Sequence, residues 1–503
     1  MKKKYVRWTL WTIASPFILF IILCILIYLP PIQNFLVDKA AVYASEATGM
    51  NISVERISLS FPLNLVVTNV DAASPHNDTL LSVRRLQVNV QLLPLLKKQV
   101  EVDGISLQGA TVNSNDLIHG MKLNGTLGEL FISSHGVALD PETAIVNKVL
   151  LKDTDLSLCL NDTAAADTAA SDTTYWKIIL QDIDLQNVSF ALDMPLDSLS
   201  LAASLDNAIL RDGLIDLHKS AYSLQTFRIK NGRVRYDSGK PLAADSLPSG
   251  LDPSHIALTD IGVKLDSLYY GGRNMKAIIS QFVLKERSGV EIVSATGRMV
   301  SNDKVLRVPS LKLETRDSYL ELNAAMDWDA LDFKKEGLVS ARLMADIGKP
   351  DVVRFMGSMD EKFIRKYPSE PLRIRTGIDG DLNKLKLTTL TAELPGALEL
   401  FAKGELTSLT DSLLRGGDIT LQAETKDLKF ISTLAEGIEI PYGTRLEGKF
   451  TMAGPKMGTD LLLMQPEAHA VAAADTIPIT VYNDSISVAD DFKMERAARL
   501  FAK

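Results

Sequence analysis

The sequence is poor in cysteine, histidine and aromatic residues, and it has no basic excess. Its 503 residues include two cysteines and six histidines, and aromatic residues make up 6%. Cys24 lies inside an apolar N-terminal run and Cys159 lies far outside it, so we expect no disulfide; two thiols also cannot form a structural zinc site. The net charge of -8 argues against a nucleic-acid partner, because no surplus of cations is available to displace counterions.

Catalytic motifs are also missing. The sequence contains no GxSxG elbow, no Walker or Rossmann glycine pattern and no HExxH frame. The six histidines lack metal-ligand spacing, and we expect them to be solvated turn residues. Adjacent acidic residues such as Asp490-Asp491 would point to opposite faces of a strand, which suits solvated charge better than paired catalytic carboxylates. The sequence therefore predicts a protein that is not an enzyme and holds no metal or cofactor.

A long uncharged segment follows the basic N-terminus. Lys2, Lys3, Lys4 and Arg7 precede residues 8–29, which carry no charge. At about 1.5 Å per residue, such a helix spans a hydrocarbon core of roughly 30 Å. A cleaved signal peptide has a shorter apolar stretch followed by small residues, whereas Pro30-Pro31 follows here. We predict that residues 1–31 form an uncleaved membrane anchor, with its N-terminus cytoplasmic and the remaining chain on the far side of the membrane. Its anchoring residues are Trp8, Trp11, Phe17, Phe20, Leu26 and Leu29.

The periodicity of the apolar residues changes after the anchor. Residues 32–49 have apolar side chains at helical spacing, with Gly49 suited to the cap, so we predict an amphipathic helix that lies on the membrane or plugs the following domain. From Asn51 the period is two, and Asn231-Gly232 and Pro395-Gly396 resemble turns between strands. We predict a mainly β protein with one apolar face over residues 50–450, a few short helices, one of them within 350–367, and a weakly patterned tail over 451–503. The residues expected on the apolar face are Leu86, Val88, Val90, Leu156, Leu158, Leu311, Leu313, Leu320 and Leu322.

An eight-residue pattern recurs four times. ISLQGATV (105–112), VLLKDTDL (149–156), IDLQNVSF (183–190) and FRIKNGRV (227–234) have apolar first, third and eighth residues, Gln or Lys fourth, and Gly, Asp or Asn fifth. We interpret each copy as a strand that ends in a tight turn and re-enters as the next strand, in units that stack along a repeat-built sheet.

A charged interruption, KERSG (285–289), separates two alternating runs. Glu286 falls on the apolar parity, which makes it a candidate buried carboxylate. The stretch LKLETRDSYLEL (311–322) has a similar interruption, which a bulge or a bend would explain. We therefore predict that KERSG is a sheet corner or groove rim, with Gly289 supplying an unusual backbone angle.

Asp followed by Ser or Thr and then a small aliphatic residue or Thr is frequent. This pattern resembles the O-glycosylation acceptor motif of exported proteins in one Gram-negative phylum, and it predicts modification at Thr163, Thr168, Thr173 and Ser246. The alternative is that these dipeptides are ordinary turns.

The order of these features resembles a known family. ATGMNISVERISLSFPLNLVVTNV (47–70), NDTLLSVRRLQVNVQLLPLL (77–96), the repeats and the FVLKERSGVEI segment are similar to the AsmA-like superfamily, in particular the N-terminal half of TamB-type translocation and assembly module proteins. The resemblance implies an inner-membrane-anchored periplasmic protein. Its elongated, groove-like β-sheet of the β-taco type would carry phospholipid acyl chains towards the outer membrane without catalysis. Alternatively, the protein assists outer-membrane protein insertion by β-strand addition at open sheet edges.

The resemblance also implies a partner. TamB-type proteins continue well beyond this length into a region that meets an outer-membrane barrel of the BamA or TamA type, which makes such a barrel a candidate partner through a region missing here. A truncated gene product and a short paralogue both fit this difference.

Overall fold

The computed structural model describes residues 39, 41–43, 45–46 and 48–464, apart from gaps at 61–63, 75–78, 92–101, 115–119, 139–141, 162–174, 240–249, 333–334, 336, 357–360, 382, 410–412, 434–441 and 454–455. The described chain is mainly β, as the alternating sequence predicts, and it divides into two compact units. The first contains residues 1–319 and 350–358, and the second contains residues 320–349 and 359–503.

The first unit is a sheet of long strands. Helical residues between 39 and 48 end at Gly49, whose φ of +70° suits a helix cap, and the first strand then begins at Asn51. A short 3-10 helix, η1 (Pro195–Asp197), joins two of the strands. The strands are β1 (Asn51–Ser60), β2 (Asn64–Ala73), β3 (Thr79–Val90), β4 (Val102–Asn113), β5 (Met121–Ala138), β6 (Thr143–Leu160), β7 (Lys177–Met194), β8 (Leu199–Asp216), β9 (Ala221–Leu224), β10 (Thr226–Ser238), β11 (His255–Gly271), β12 (Asn274–Glu286), β13 (Glu291–Ser301) and β14 (Val305–Thr315).

Strand pairing in the first unit follows chain order. Consecutive strands pair antiparallel from β1 to β6, from β7 to β8 and from β10 to β14, whereas β6 and β7 pair in parallel. β9 and β10 both pair with β8 and with β11, so they occupy successive parts of one position in the sheet. This order places residues that are distant in sequence in continuous rows across the strands.

The charged interruption KERSG is a hairpin turn. β12 ends at Glu286 and β13 begins at Glu291, and the Gly289 amide donates to the Glu286 carbonyl at 2.9 Å with a φ of +94° at Gly289. The unusual backbone angle predicted at Gly289 is therefore confirmed. The second interruption separates β14, which ends at Thr315, from β15, which begins at Tyr319, and the Thr315 amide donates to the Ser318 carbonyl at 2.9 Å, so the bulge or bend predicted within one strand is wrong there.

A short helix packs against both turns. Helix α1 (Lys349–Phe355) belongs largely to the first unit. Its Asp351 is 1% exposed and accepts hydrogen bonds from the hydroxyls of Thr315 and Ser318, the latter at 2.6 Å. Arg354 Nη1 donates to Asp351 at 3.0 Å and to Asp317 at 2.7 Å. The helix is thus fixed to the β14–β15 turn through a buried carboxylate whose partners include a cation.

The second unit has its own strands and a small aromatic core. Phe363, Tyr367 and Phe430 are buried, with ring centroids 5.1 to 5.9 Å apart. The strands pair antiparallel in chain order from β16 to β22 and continue to Met464, beyond residue 450. The elements are β15 (Tyr319–Asp327), η2 (Trp328–Leu331), β16 (Val339–Ile347), α2 (Glu361–Lys366), β17 (Leu372–Gly380), β18 (Lys384–Leu394), β19 (Leu398–Thr407), β20 (Gly416–Thr425), η3 (Ile431–Thr433), β21 (Arg445–Ala453) and β22 (Lys456–Met464).

Candidate functional site

Each copy of the eight-residue pattern lies inside one strand. The copies fall within β4, β6, β7 and β10, so the interpretation as a strand, a turn and a second strand is wrong, as is the expected turn at Asn231-Gly232. The fifth residue is nevertheless special, because it adopts a left-handed conformation in every copy. The φ values are +61° at Gly109, +49° at Asp153, +52° at Asn187 and +52° at Asn231. Gly, Asp and Asn are the residues that tolerate this conformation best.

The same conformation occurs at places that the sequence analysis missed. Asn69, Asp212 and Asp260 have φ values of +49°, +52° and +52° inside β2, β8 and β11. AILRDGLI (208–215) and IALTDIGV (256–263) carry the same pattern of apolar first, third and eighth residues with Asp fifth. The signal was therefore present, and the requirement for Gln or Lys at the fourth position concealed it.

Five of the left-handed residues lie at one level of the sheet, namely Asn69, Gly109, Asp153, Asn187 and Asn231, whereas Asp212 lies at another level, opposite Gln181. Asp153 and Asn187 face each other between the paired residues of β6 and β7, and the Asn187 amide donates to Asp153 Oδ1 at 2.9 Å. Asn69 donates to Glu55 on β1, and Asn231 donates to Asp206 on β8 at 2.7 Å. We call this line of residues the left-handed row. It crosses successive strands of the first unit at one level.

The alternation of exposure is interrupted at this level in some of the strands. Two consecutive residues are exposed in β3 (Arg84-Arg85) and in β10 (Lys230-Asn231), and half-buried or buried residues flank each pair, whereas in β6 and β7 only Asp153 and Asn187 are exposed there. Two successive side chains on one face give that face an extra residue, which bends a strand as a bulge does. The third and sixth residues of the pattern consequently share one face, with the polar residues on the other.

One face of the first unit carries two uninterrupted apolar rows, which we call the apolar rows. Every member pairs directly with the next across the strands from β1 to β12, so all of them share one face. The first row is Ile57, Val67, Leu86, Leu107, Leu130, Leu151, Leu185, Ala208, Ile229, Val263 and Phe282. The second row is Leu59, Leu65, Val88, Ile105, Ile132, Val149, Ile183, Leu210, Phe227, Leu265 and Ile279.

These apolar side chains are only partly covered by protein. Apart from the buried Ala208, every member of the two rows is half-buried. Leucine and valine in the core of a closed sandwich are normally buried on both sides. The described part of the first unit therefore presents a broad aliphatic surface to which another apolar group can bind.

The opposite face of the sheet carries a polar row beside the first apolar row. A row of directly paired residues runs there from β1 to β8 and on to β10, and no member is apolar. Its members are Arg56, Thr68, Arg85, Gln108, Glu129, Lys152, Gln186, Asn207 and Lys230. The sheet is therefore amphipathic beside the first apolar row, whereas the next row of the opposite face is mixed and includes Val66, Phe131, Leu150 and Ile209. The apolar rows form the candidate functional site.

The residues predicted to line a groove lie in several parts of the protein. Leu86 and Val88 belong to the apolar rows, and Leu311 extends the second row through Gly297 of β13. Leu156 and Leu158 lie on β6, on the C-terminal side of the left-handed residue Asp153. Leu320 and Leu322 lie on β15 of the second unit. All nine predicted residues are half-buried: Leu86, Val88, Val90, Leu156, Leu158, Leu311, Leu313, Leu320 and Leu322.

Other predicted residues lie outside the described part of the chain. These are the anchor residues Trp8, Trp11, Phe17, Phe20, Leu26 and Leu29 and the acceptors Thr163, Thr168, Thr173 and Ser246. Over the ranges described between residues 39 and 464, no helix is long and apolar enough to cross a bilayer. Those ranges also contain no group of three His, Cys, Asp or Glu residues that could hold a metal ion.

The buried charged groups that most resemble catalytic residues stabilise turns. Glu286 is buried, and its two carboxylate oxygens accept from the amides of Ala257 at 3.2 Å and Ser288 at 2.6 Å. His255 is also buried, contrary to the solvated position expected, and its Nδ1 lies 2.8 Å from Asp252 Oδ2. The hydrogen bond from His255 holds the pKa of the Asp252 carboxyl below its usual value.

Comparison with models of known protein families and with curated proteins found no match. The functional argument therefore depends on the amphipathic sheet.

Proposed function

We propose that this protein is an inner-membrane-anchored periplasmic conduit of cell-envelope biogenesis, which carries phospholipid along the apolar rows towards the outer membrane without catalysis. The observation that supports it best is the continuity of the two rows. At about 4.8 Å between strands, eleven strands give an apolar path of about 50 Å. The resemblance of the sequence to TamB-type proteins supports the same function.

Acyl chains are the ligands that suit such a surface. The rows are aliphatic and half-buried, and the hydrophobic effect contributes about 0.8 kcal/mol for each methylene that leaves water. This attraction is non-directional, so a chain can move along the rows without breaking specific hydrogen bonds. The polar row on the opposite face keeps that side of the sheet in water.

Lipid mass spectrometry of the purified full-length protein tests this function. Leu107 lies in the first apolar row, and its neighbour Gln108 lies in the polar row of the same strand. We expect Leu107→Glu to reduce the phospholipid that copurifies, because the carboxylate places a charge among the aliphatic side chains. Gln108→Glu adds the same charge to the opposite face and should retain the lipid.

Two results would overturn the proposal. One is the absence of phospholipid from the wild-type protein after purification in mild detergent. The other is an equal loss of lipid in both variants while their circular dichroism spectra remain unchanged.

A second candidate function is a scaffold for outer-membrane protein insertion that acts by strand addition. It is favoured by the outer edge of β1, which pairs with β2 and with no other strand in the described ranges, although the Ile52 amide at its start donates to the Ser45 hydroxyl at 3.0 Å. An unpaired edge can accept an extended segment of another chain. Cross-linking from β1 to an unfolded outer-membrane precursor, in a protein that carries no lipid, would support this function instead.

A further inference from the structure

One end of the first-unit strands has an unusual concentration of exposed aromatic side chains. Tyr175 is 53% exposed, Tyr222 and Tyr269 are each 40% exposed, and Tyr270 is 47% exposed. Leu217 is 37% exposed, and its amide donates to the carbonyl of the half-buried Trp176 at 3.1 Å. We call these six residues, Tyr175, Trp176, Leu217, Tyr222, Tyr269 and Tyr270, the tyrosine edge.

The residues of the tyrosine edge are neighbours in the structure. Tyr222 of β9 pairs directly with Tyr270 of β11, and their rings stack with centroids 6.2 Å apart. Tyr175 precedes β7 and contacts His218 edge-on at 5.3 Å, in the turn that follows β8. The edge is therefore one continuous surface along the ends of β7, β8, β9 and β11.

Both faces of the sheet are largely apolar at this edge. One row of paired residues contains Ile178, Ile215, Tyr222, Tyr270 and Met275. The row next to it contains Ile179, Leu214, Ser223, Tyr269 and Lys276, and adjacent residues of a strand face opposite sides. This differs from the centre of the sheet, where one of the faces has a fully polar row. An apolar surface on both sides requires surroundings that are themselves partly apolar.

The charges around the edge are predominantly basic. Lys177, Lys219, Arg273 and Lys276 lie within the strand ends and turns. The acidic groups in the described residues there are Asp216, Glu142 and Asp303, the last of which accepts from the Asn274 side-chain amide at 3.0 Å. Asp216 accepts from the Lys219 amide at 3.0 Å, and Glu142 accepts from the Tyr175 amide at 2.9 Å. A local basic excess in a chain of net charge -8 favours an anionic partner.

Tyrosine and tryptophan with flanking lysine and arginine are the residues that proteins place at the boundary between lipid and water. We propose that the tyrosine edge is a peripheral membrane-contact site, which rests the ends of these strands on an anionic lipid surface. This contact is additional to the proposed conduit and does not depend on it, since it requires binding at the edge and no transport along the rows.

Two serines provide a matched pair of reporter positions. Ser220 follows β8 at the tyrosine edge, and Ser198 precedes β8 at its opposite end. Both are exposed, and both have left-handed backbones, with φ values of +48° and +51°. Ser220→Cys and Ser198→Cys, each in a background in which Cys24 and Cys159 are serine, can carry an environment-sensitive fluorophore at equivalent turn positions.

The experiment uses the full chain reconstituted in phosphatidylcholine nanodiscs with and without phosphatidylglycerol. We expect the Ser220 label to shift its emission to the blue in the anionic discs, and the Ser198 label to keep the emission it has in detergent. Replacing Lys177 and Lys219 with Gln should weaken the contact by roughly thirtyfold, because each of the two cations near an anionic surface contributes about 1 kcal/mol. High salt should act in the same direction.

Three results would overturn the proposal. They are an unchanged Ser220 emission in anionic discs, an equal shift at Ser198, and a Ser220 shift in detergent that grows with protein concentration, which would indicate a second copy of the chain. Tyr222→Ser with Tyr270→Ser gives a further check, because the shift should shrink while the circular dichroism spectrum is retained.

Discussion

Asn187 donates a 2.9 Å hydrogen bond to Asp153, and both residues have left-handed backbones at the same level of neighbouring parallel strands. They are 34 positions apart, and the register of β6 and β7 has this offset throughout, as in Val149 with Ile183. The spacing between these two copies of the pattern is thus the length of chain needed to place them side by side. Such pairing places left-handed residues of neighbouring strands next to each other across the sheet.

The backbone at Asn187 gives the first prediction. Asn187→Val should destabilise the protein by about 2 kcal/mol, because a β-branched residue is strained at positive φ and the hydrogen bond to Asp153 is also lost. Asn187→Gly also loses the hydrogen bond and keeps the backbone freedom, so it should cost less. Urea unfolding of the two variants measures the difference, and equal midpoints would contradict the role of the left-handed backbone.

Gly289 gives a second prediction at the KERSG turn. A Cβ atom added there would lie 3.3 Å from Arg354 Nε, and the φ of +94° is unfavourable for other residues. Gly289→Val should therefore cost about 2 kcal/mol and disturb the packing of α1. Gly289→Asn is the control, since Asn tolerates positive φ better. A thermal midpoint for the Val variant at or above that of the Asn variant would show that the backbone angle is not limiting.

The sequence predicted those features whose cause is local. The change to a period of two at Asn51, the turn at Gly289 and the aliphatic character of Leu86 and Val88 all follow from side chains within a few residues. We assigned Asn231-Gly232 to a turn because Asn and Gly are common in turns. The same two residues are also common at left-handed positions inside strands. Local composition cannot distinguish the two, whereas the pairing of neighbouring strands does.

The rows and the buried contacts depend on residues that are distant in sequence. The apolar rows are continuous because eleven strands adopt one register, and Thr315 meets Asp351 only after the chain has passed through β15 and β16. The exposed tyrosines were not singled out, since Tyr222 and Tyr270 look like ordinary strand residues until β9 pairs with β11.

The buried carboxylate of Asp351 gives a third prediction. Asp351→Ala leaves two hydroxyl groups and one bond of Arg354 without their acceptor, so it should cost about 3 kcal/mol. Hydrogen exchange should rise in the turn 316–318 and in α1. Asp351→Asn keeps the size and one acceptor oxygen and should lie between the wild type and the Ala variant. An unchanged exchange rate in the turn would mean that α1 is held by other contacts.

The pairing of Asp252 with His255 gives a prediction on pH. The hydrogen bond from His255 lowers the pKa of Asp252 below its ordinary value of 3.8. A carboxyl whose pKa is lowered in the folded state stabilises the protein fully above that ordinary value. The contribution is lost as the pH falls through the lower, folded pKa.

Asp252→Asn should therefore reduce the free energy of unfolding near pH 6, and the difference should shrink as the pH falls below 3.8 and through the lower, folded pKa of Asp252. Urea unfolding of both proteins at several pH values measures this. His255→Leu provides the control, because it removes the donor and should abolish most of the pH dependence of the Asp252 contribution. A difference between wild type and Asp252→Asn that persists below the folded pKa would assign the effect to the shape of the turn, since the carboxylate charge is then absent from both proteins.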